Sequence, residues 1–148
     1  MPYSTEFTRD GRGLIHIGQG IVTGAELIAG SLTVQQLGDR MRQLRYGLTD
    51  LAHIDEFRVT AVDLRTLAQE QLNVSREVVP SAAVAVVATS DSTFGMVRMW
   101  EAFAEGTGWK THVFRALGEA ERWLREMVPG ATPERPYQSI EELLREQS

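Results

Sequence analysis

Apolar and polar positions alternate along this chain with two distinct periods, and the switches between them mark out strands and amphipathic helices. Tyr3 to Thr23 reads as two strands joined by a turn. Thr5, Phe7 and Arg9 alternate with Glu6 and Thr8, and Asp10-Gly11-Arg12-Gly13 supplies the turn chemistry. Leu14, Ile15, Ile17, Ile21 and Val22 make a more apolar second strand, with Gly18 and Gly20 allowing a bulge or bend. Thr23-Gly24-Ala25-Glu26 spells a capping box, so a helix starts at Gly24. Its stripe of Leu27, Ile28, Leu32, Val34, Leu37 and Met41 carries helical structure to about Met41, either continuous or in two pieces broken near Ser31-Leu32-Thr33. Leu44 to Leu51 is a third strand and Ile54 to Val59 a connection.

Thr60-Ala61-Val62-Asp63 then opens a helix whose Leu64, Leu67, Ala68 and Leu72 lie on one face. Ala82 to Ala88 is apolar on both faces, the mark of a central strand covered by helices on each side. Ser90-Asp91-Ser92-Thr93 leads into a third helix carrying Phe94, Val97, Trp100, Phe103 and Ala104. Trp109 to Phe114 is a short last strand, and Leu117 to Val128 a last core helix. This order predicts an α/β fold: a mixed, mostly parallel sheet of about five strands, about four core helices and a short C-terminal helix. Residues 1–128 are expected to form the domain, 129–138 a Pro/Gly-rich linker, and 139–148 a short amphipathic helix. That helix is capped at Ser139 and has Ile140, Leu143 and Leu144 on one face. It is too brief to stand alone in water, so it either docks, on its own domain or on a second subunit, or is disordered, and its capping box favours docking.

Composition narrows the chemistry more than it selects it. At 148 residues and 43% hydrophobic, the chain can build a core without disulfides or a structural metal. The absence of cysteine removes thiol nucleophiles, Cys-based zinc sites and iron–sulfur ligation, and fits a cytoplasmic location. The longest apolar run is Ala82 to Ala88, far short of the ~20 residues of a membrane helix, and no signal-peptide stretch opens the sequence. A net charge of −5 argues against nucleic acid as a partner, because duplex binding draws on phosphate neutralisation.

Three segments together resemble a known group. Thr23 to Leu27 resembles a T-G-E-E-L-like helix start, Tyr46 to Leu51 a Y-V-L-x-D-L-like strand, and Phe94 to Ala102 an F-G-x-x-R-M-W/Y-E-A helix. With Asp50-Leu51 closing a strand and Thr60-x-x-Asp63 opening the next helix, they resemble the STAS-type fold of bacterial anti-sigma factor antagonists. The likeness is closer to small bacterial STAS-like proteins of poorly characterised function, and covers roughly Ile15 to Leu124. In the antagonists a Ser of a D-S-S-G-like segment is phosphorylated by a partner kinase. Ungapped alignment on Asp50-Leu51 sets Val59 at that acceptor position, and Val59 has no hydroxyl. The resemblance therefore implies the scaffold without the phosphorylation switch; a one-residue shift would place Thr60 there.

Each candidate site has a plainer structural explanation beside it. Thr60 is a place for a phosphoryl group at a helix start, or simply an N-cap. Ser90, Asp91, Ser92 and Thr93 follow a buried strand, where open α/β sheets form ligand crevices, and with Asp50 and Thr60 could line an anion or ligand crevice. Helix capping explains the same hydroxyls. Asp50, Asp55 and Glu56 gather near one strand end, but a solvated acidic loop accounts for them. His16, His53 and His112 show no ligand spacing, so no metal, no cofactor and no catalytic residue is expected. Met96, Met99 and Trp100 exceed what one buried face of their helix needs and are candidate interface residues, possible contacts of a homodimer. The leading expectation is a non-enzymatic regulatory or protein-interaction module. The alternative is a small-ligand binder, for lipid or nucleotide, using a crevice at the strand ends.

Overall fold

The turn at Asp10 to Gly13 closes as its residues predict, with Gly11 in the left-handed region at φ 72°. In the computed structural model, which describes residues 2–146, it joins strands β1 (Tyr3–Phe7) and β2 (Gly13–Thr23) into an antiparallel hairpin. Strands β3 (Tyr46–Arg58), β4 (Ala83–Val87) and β5 (Lys110–Phe114) extend the sheet in the order β1-β2-β3-β4-β5, all parallel to β2. The α/β class and the mostly parallel five-stranded sheet are those expected from the sequence.

Helices α1 (Gly24–Val34), α2 (Ala61–Glu77) and α3 (Asp91–Phe103) cover one face of the sheet. On it Val22, Leu51 and Val86 meet Leu27, Leu64, Val97 and Trp100. Helix α4 (Leu117–Met127) covers the other face, where Ile15, Leu48, Ala85 and Val87 meet Ala120 and Leu124. Strand β4 is buried from both sides, as its unbroken apolar run requires.

Two boundaries differ from the expectation. The first helix runs unbroken through residues 31–33 as part of Gly24–Val34, with Thr33 Oγ1 donating to the Ala29 carbonyl at 2.9 Å. The α-geometry ends at Val34 and tightens to 3-10 over Gln35–Gln43, with Gly38 turned out of helical conformation at φ 56°. The third strand does not stop at Leu51. Residues His53 to Arg58 continue it by pairing with Gln19 to Thr23 of β2, so backbone pairing holds a stretch whose polar side chains read as a loop. The expected irregularity at Gly18 and Gly20 is present as two register shifts, with Gly20 at φ 61°.

Helix α4 ends at Met127, just before Pro129, and the chain after it, with Pro133 and Pro136, runs against the hairpin. Ala131 and Pro133 are buried. The Thr132 amide donates to Asp10 Oδ2 (3.2 Å) and Tyr46 Oη (3.0 Å), and Phe7 and Gln138 exchange backbone hydrogen bonds of 2.8 Å. Helix α5 (Ile140–Arg145) follows, with Ser139 Oγ accepting from the Glu142 amide. Its Leu143 is fully buried among Phe7, Val34, Leu37 and Met41, while Leu144 stays exposed. Residues 147 and 148 of the expected terminal helix lie outside the described residues.

Candidate functional site

Between the sheet and the helices α1–α3 lies a cavity of about 140 Å³. Its origin is the choice of residues on that face. Side chains alternate along a strand, so Tyr46 and Leu48 of β3 point toward α4, and Gly47 and Thr49 point toward α1 and α2. His16 of β2 and Ser31 of α1 also line the space. Small or polar residues therefore occupy positions where a filled core would carry branched aliphatics. Leu27, Val34, Leu64 and Trp100 form the walls, and no Asp, Glu, Lys or Arg contributes to the lining.

The polar groups of the cavity are held in definite states. The rings of Tyr3 and His16 stack with centroids 5.2 Å apart and planes 17° from parallel. Gly30 lets α1 approach this pair, since a Cβ there would lie 2.8 Å from Tyr3 Cε2. His16 Nδ1 hydrogen-bonds Thr5 Oγ1 at 3.0 Å. Burial pulls the His16 pKa down to about 4, so the ring is neutral at neutral pH. Burial likewise raises the Tyr3 phenol well above its ordinary value. Trp100 Nε1 donates to Gln71 Oε1 at 2.7 Å, and Trp109 Nε1 to the Val79 carbonyl at 2.8 Å.

The candidates read from the sequence lie elsewhere. Thr60 is an exposed N-cap: its Oγ1 accepts from the Asp63 amide (3.1 Å), and Asp63 Oδ2 accepts from the Thr60 amide (2.9 Å). Ser90 Oγ accepts from the Thr93 amide (3.2 Å) and donates to Thr93 Oγ1 (2.9 Å), so the Ser90 hydroxyl caps α3 and the Thr93 hydroxyl is engaged with it. Asp91 pairs with Arg115 at 2.9 Å, and Ser92 is exposed. Arg115 also lies 4.1 Å over the Phe94 ring. Asp50 is buried toward α4, accepting from the Ala52 amide at 3.0 Å, so the sheet stands between it and the helices that Thr60 and Ser90 begin. Among the described residues no hydrogen bond or ion pair links Thr60, Asp50 and the 90–93 segment.

Helix α3 corrects the interface expectation at one residue. Trp100 is 4% exposed, because its position in register with Val97 and Ala104 turns the indole into the core. Met96 is half-buried against the same core, and Met99 is exposed. Among the described residues no three His, Asp or Glu side chains stand where they could hold a metal ion together. Sequence reasoning missed Ser31, Gly47, Thr49 and Gln71, and gave His16 no role beyond its lack of ligand spacing. The available signal was Gly47, a glycine inside a strand with no turn beside it.

No family model matches the chain, and no curated protein matches it in sequence. Among solved structures it is similar to an uncharacterized protein from the DUF3478 family with a SpoIIAA-like fold, from Shewanella loihica PV-4. The match covers 82% of this chain and 91% of that one, at 16% identity and a TM-score of 0.48. The fold class itself rests on this chain's own strand order and register. No helix among the described residues is long and apolar enough to cross a membrane.

Proposed function

We propose that this protein is a binding module that encloses a small uncharged molecule in the cavity under α1 and α2. The observation that carries the reading is the coincidence of empty space with a lining free of charged side chains. A charged ligand would lose its hydration there without a counter-charge. That argument favours the lipid-like side of the ligand alternative over the nucleotide side. Size restricts the ligand further, because about 140 Å³ is well below the 300–1,000 Å³ of common ligand pockets. Native mass spectrometry of protein purified from its own host tests the reading. The expected result is one small neutral adduct on the folded protein that is lost on denaturation. A bare mass, together with no saturable change in the Leu27, Val34 and Leu64 methyl signals on titration with neutral organic compounds, would sink it.

A second reading, protein contact through α3 and the start of α2, is supported by the exposure of Met99 (39%) and Val62 (67%). A concentration-dependent mass in light scattering that Met99→Lys abolishes is its expected outcome.

A further inference from the structure

The strands contain four glycines, and three have a local reason to be glycine. A Cβ at Gly13 would strike the Tyr46 ring at 2.3 Å, one at Gly18 would lie 2.9 Å from Val22, and Gly20 has a left-handed φ of 61°. Gly47 has none of these. Its φ is not positive, and a Cβ would meet nothing nearer than the Leu14 carbonyl at 3.7 Å and Val84 at 4.0 Å, both ordinary contact distances. Glycine inside a strand weakens it, and one use of such a position is close approach of a ligand to the backbone. The missing side chain of Gly47 opens onto the cavity, where it exposes a flat peptide surface.

Two further features describe what fits over that surface. The volume is close to the ~150 Å³ of an apolar cavity known to take benzene, so the space suits a single ring rather than a long chain. The His16 ring, which lines the cavity, hydrogen-bonds Thr5 at Nδ1, which leaves Nε2 as its other polar atom. We propose that the ligand is a flat, uncharged, single-ring molecule carrying one hydroxyl group, which can donate to or accept from an imidazole nitrogen, lying over the Gly47 peptide with its hydroxyl at His16 Nε2. This rests on the ligand-binding reading above and adds the chemical class and the two residues that select it. Gly47 sets the shape by leaving room, and His16 supplies the polar contact.

Calorimetric titration with p-cresol, toluene, 4-methylbenzoate and 1-octanol tests the proposal. The expected order is p-cresol tightest, toluene about 10-fold weaker for want of one hydrogen bond, and 4-methylbenzoate weaker by more than about 100-fold for its charge. Gly47→Ala, whose methyl group has room, is expected to keep or raise the melting temperature while weakening p-cresol about 10-fold or more. Gly47→Val is expected to abolish binding. His16→Phe keeps the aromatic stack and is expected to bring p-cresol down to the affinity of toluene. Wild-type p-cresol affinity in Gly47→Ala would overturn the role of Gly47. Tighter binding of 1-octanol than of p-cresol would overturn the ring class and leave the cavity reading standing. Absence of saturable binding by p-cresol, toluene and 1-octanol alike would overturn both.

Discussion

The two faces of the sheet are covered in opposite ways. Three helices lie over one face and still leave a cavity beneath them, whereas α4, with Ala131 and Tyr137 of the segment after it, packs on the other face. The difference starts in a single strand. Tyr46-Gly47-Leu48-Thr49 sends its two large side chains toward α4 and its two small ones toward α1 and α2. The polar groups divide with the space. On the cavity face they are neutral and enclosed, with His16 held uncharged. On the α4 face they are ionisable and partly wet. There burial, reinforced by the nearby Asp50 charge, raises the Glu121 pKa, and burial raises that of Tyr137. The cavity therefore follows from the alternation of side-chain size along β3, although three helices are laid over that face.

The largest effect expected from disturbing this arrangement is at β4, which both faces share. Val86→Asp places a carboxylate without a partner on the cavity side and is expected to cost about 3–5 kcal/mol in urea denaturation. A value within about 0.5 kcal/mol of wild type would contradict the central position of β4. Next is Leu143→Ala, which empties a fully buried site at the end of the sheet and is expected to cost ~2–5 kcal/mol. Hydrogen exchange provides the local readout: amides of α5 should be protected in the wild type and exchange much faster in the variant.

Third is pH. The His16 pKa falls from 6.5 in the unfolded chain to about 4 in the fold, so the unfolded state binds the extra proton between those values. Its contribution is complete above about pH 6.5 and falls as the pH drops toward 4, by on the order of 2–3 kcal/mol. The Asp10 carboxyl behaves separately. Burial pushes its pKa up, but hydrogen bonds from Thr8, the Arg12 amide, Tyr46 and the Thr132 amide hold it below the ordinary value. Stability from Asp10 is present above about pH 4 and lost as the pH falls through the lowered value. Urea midpoints measured from pH 7 to 3 should thus fall in two stages, and His16→Phe should flatten only the upper one. The smallest effect is at Thr60→Ala, where loss of the cap to Asp63 should cost about 1 kcal/mol and leave cavity ligands bound as before.

Much of the fold was legible because its signals are local. The capping boxes at Thr23 and Thr60 start helices where they were expected, and the apolar run at Ala82 to Ala88 contains the central strand. The second half of β3 was not legible. His53, Asp55 and Glu56 are polar, and what makes them strand is pairing with β2, more than thirty positions upstream. The cavity was hidden for a related reason. Ser31, His16, Gly47 and Thr49 come from three separate elements, and their shared property is that none is a branched aliphatic, which leaves no periodic mark. The hydroxyls of Thr60, Ser90 and Thr93 attracted attention as possible anion ligands because capping and anion binding use the same chemistry at a helix start.

The backbone exchange between Phe7 and Gln138, and the hydrogen bond from Gln138 Nε2 to the Thr8 carbonyl, join positions about 130 residues apart. A ribosome adding about 5–20 residues per second needs on the order of ten seconds to make the chain between them. During that interval β1 can pair with β2, but its outer edge has no Gln138 to meet. An open strand edge is a template for pairing with another chain. In a crowded cell, neighbouring nascent copies on one messenger therefore present the same uncovered edge, and arrival of Gln138 caps that edge at Phe7, the end of β1 next to the hairpin turn.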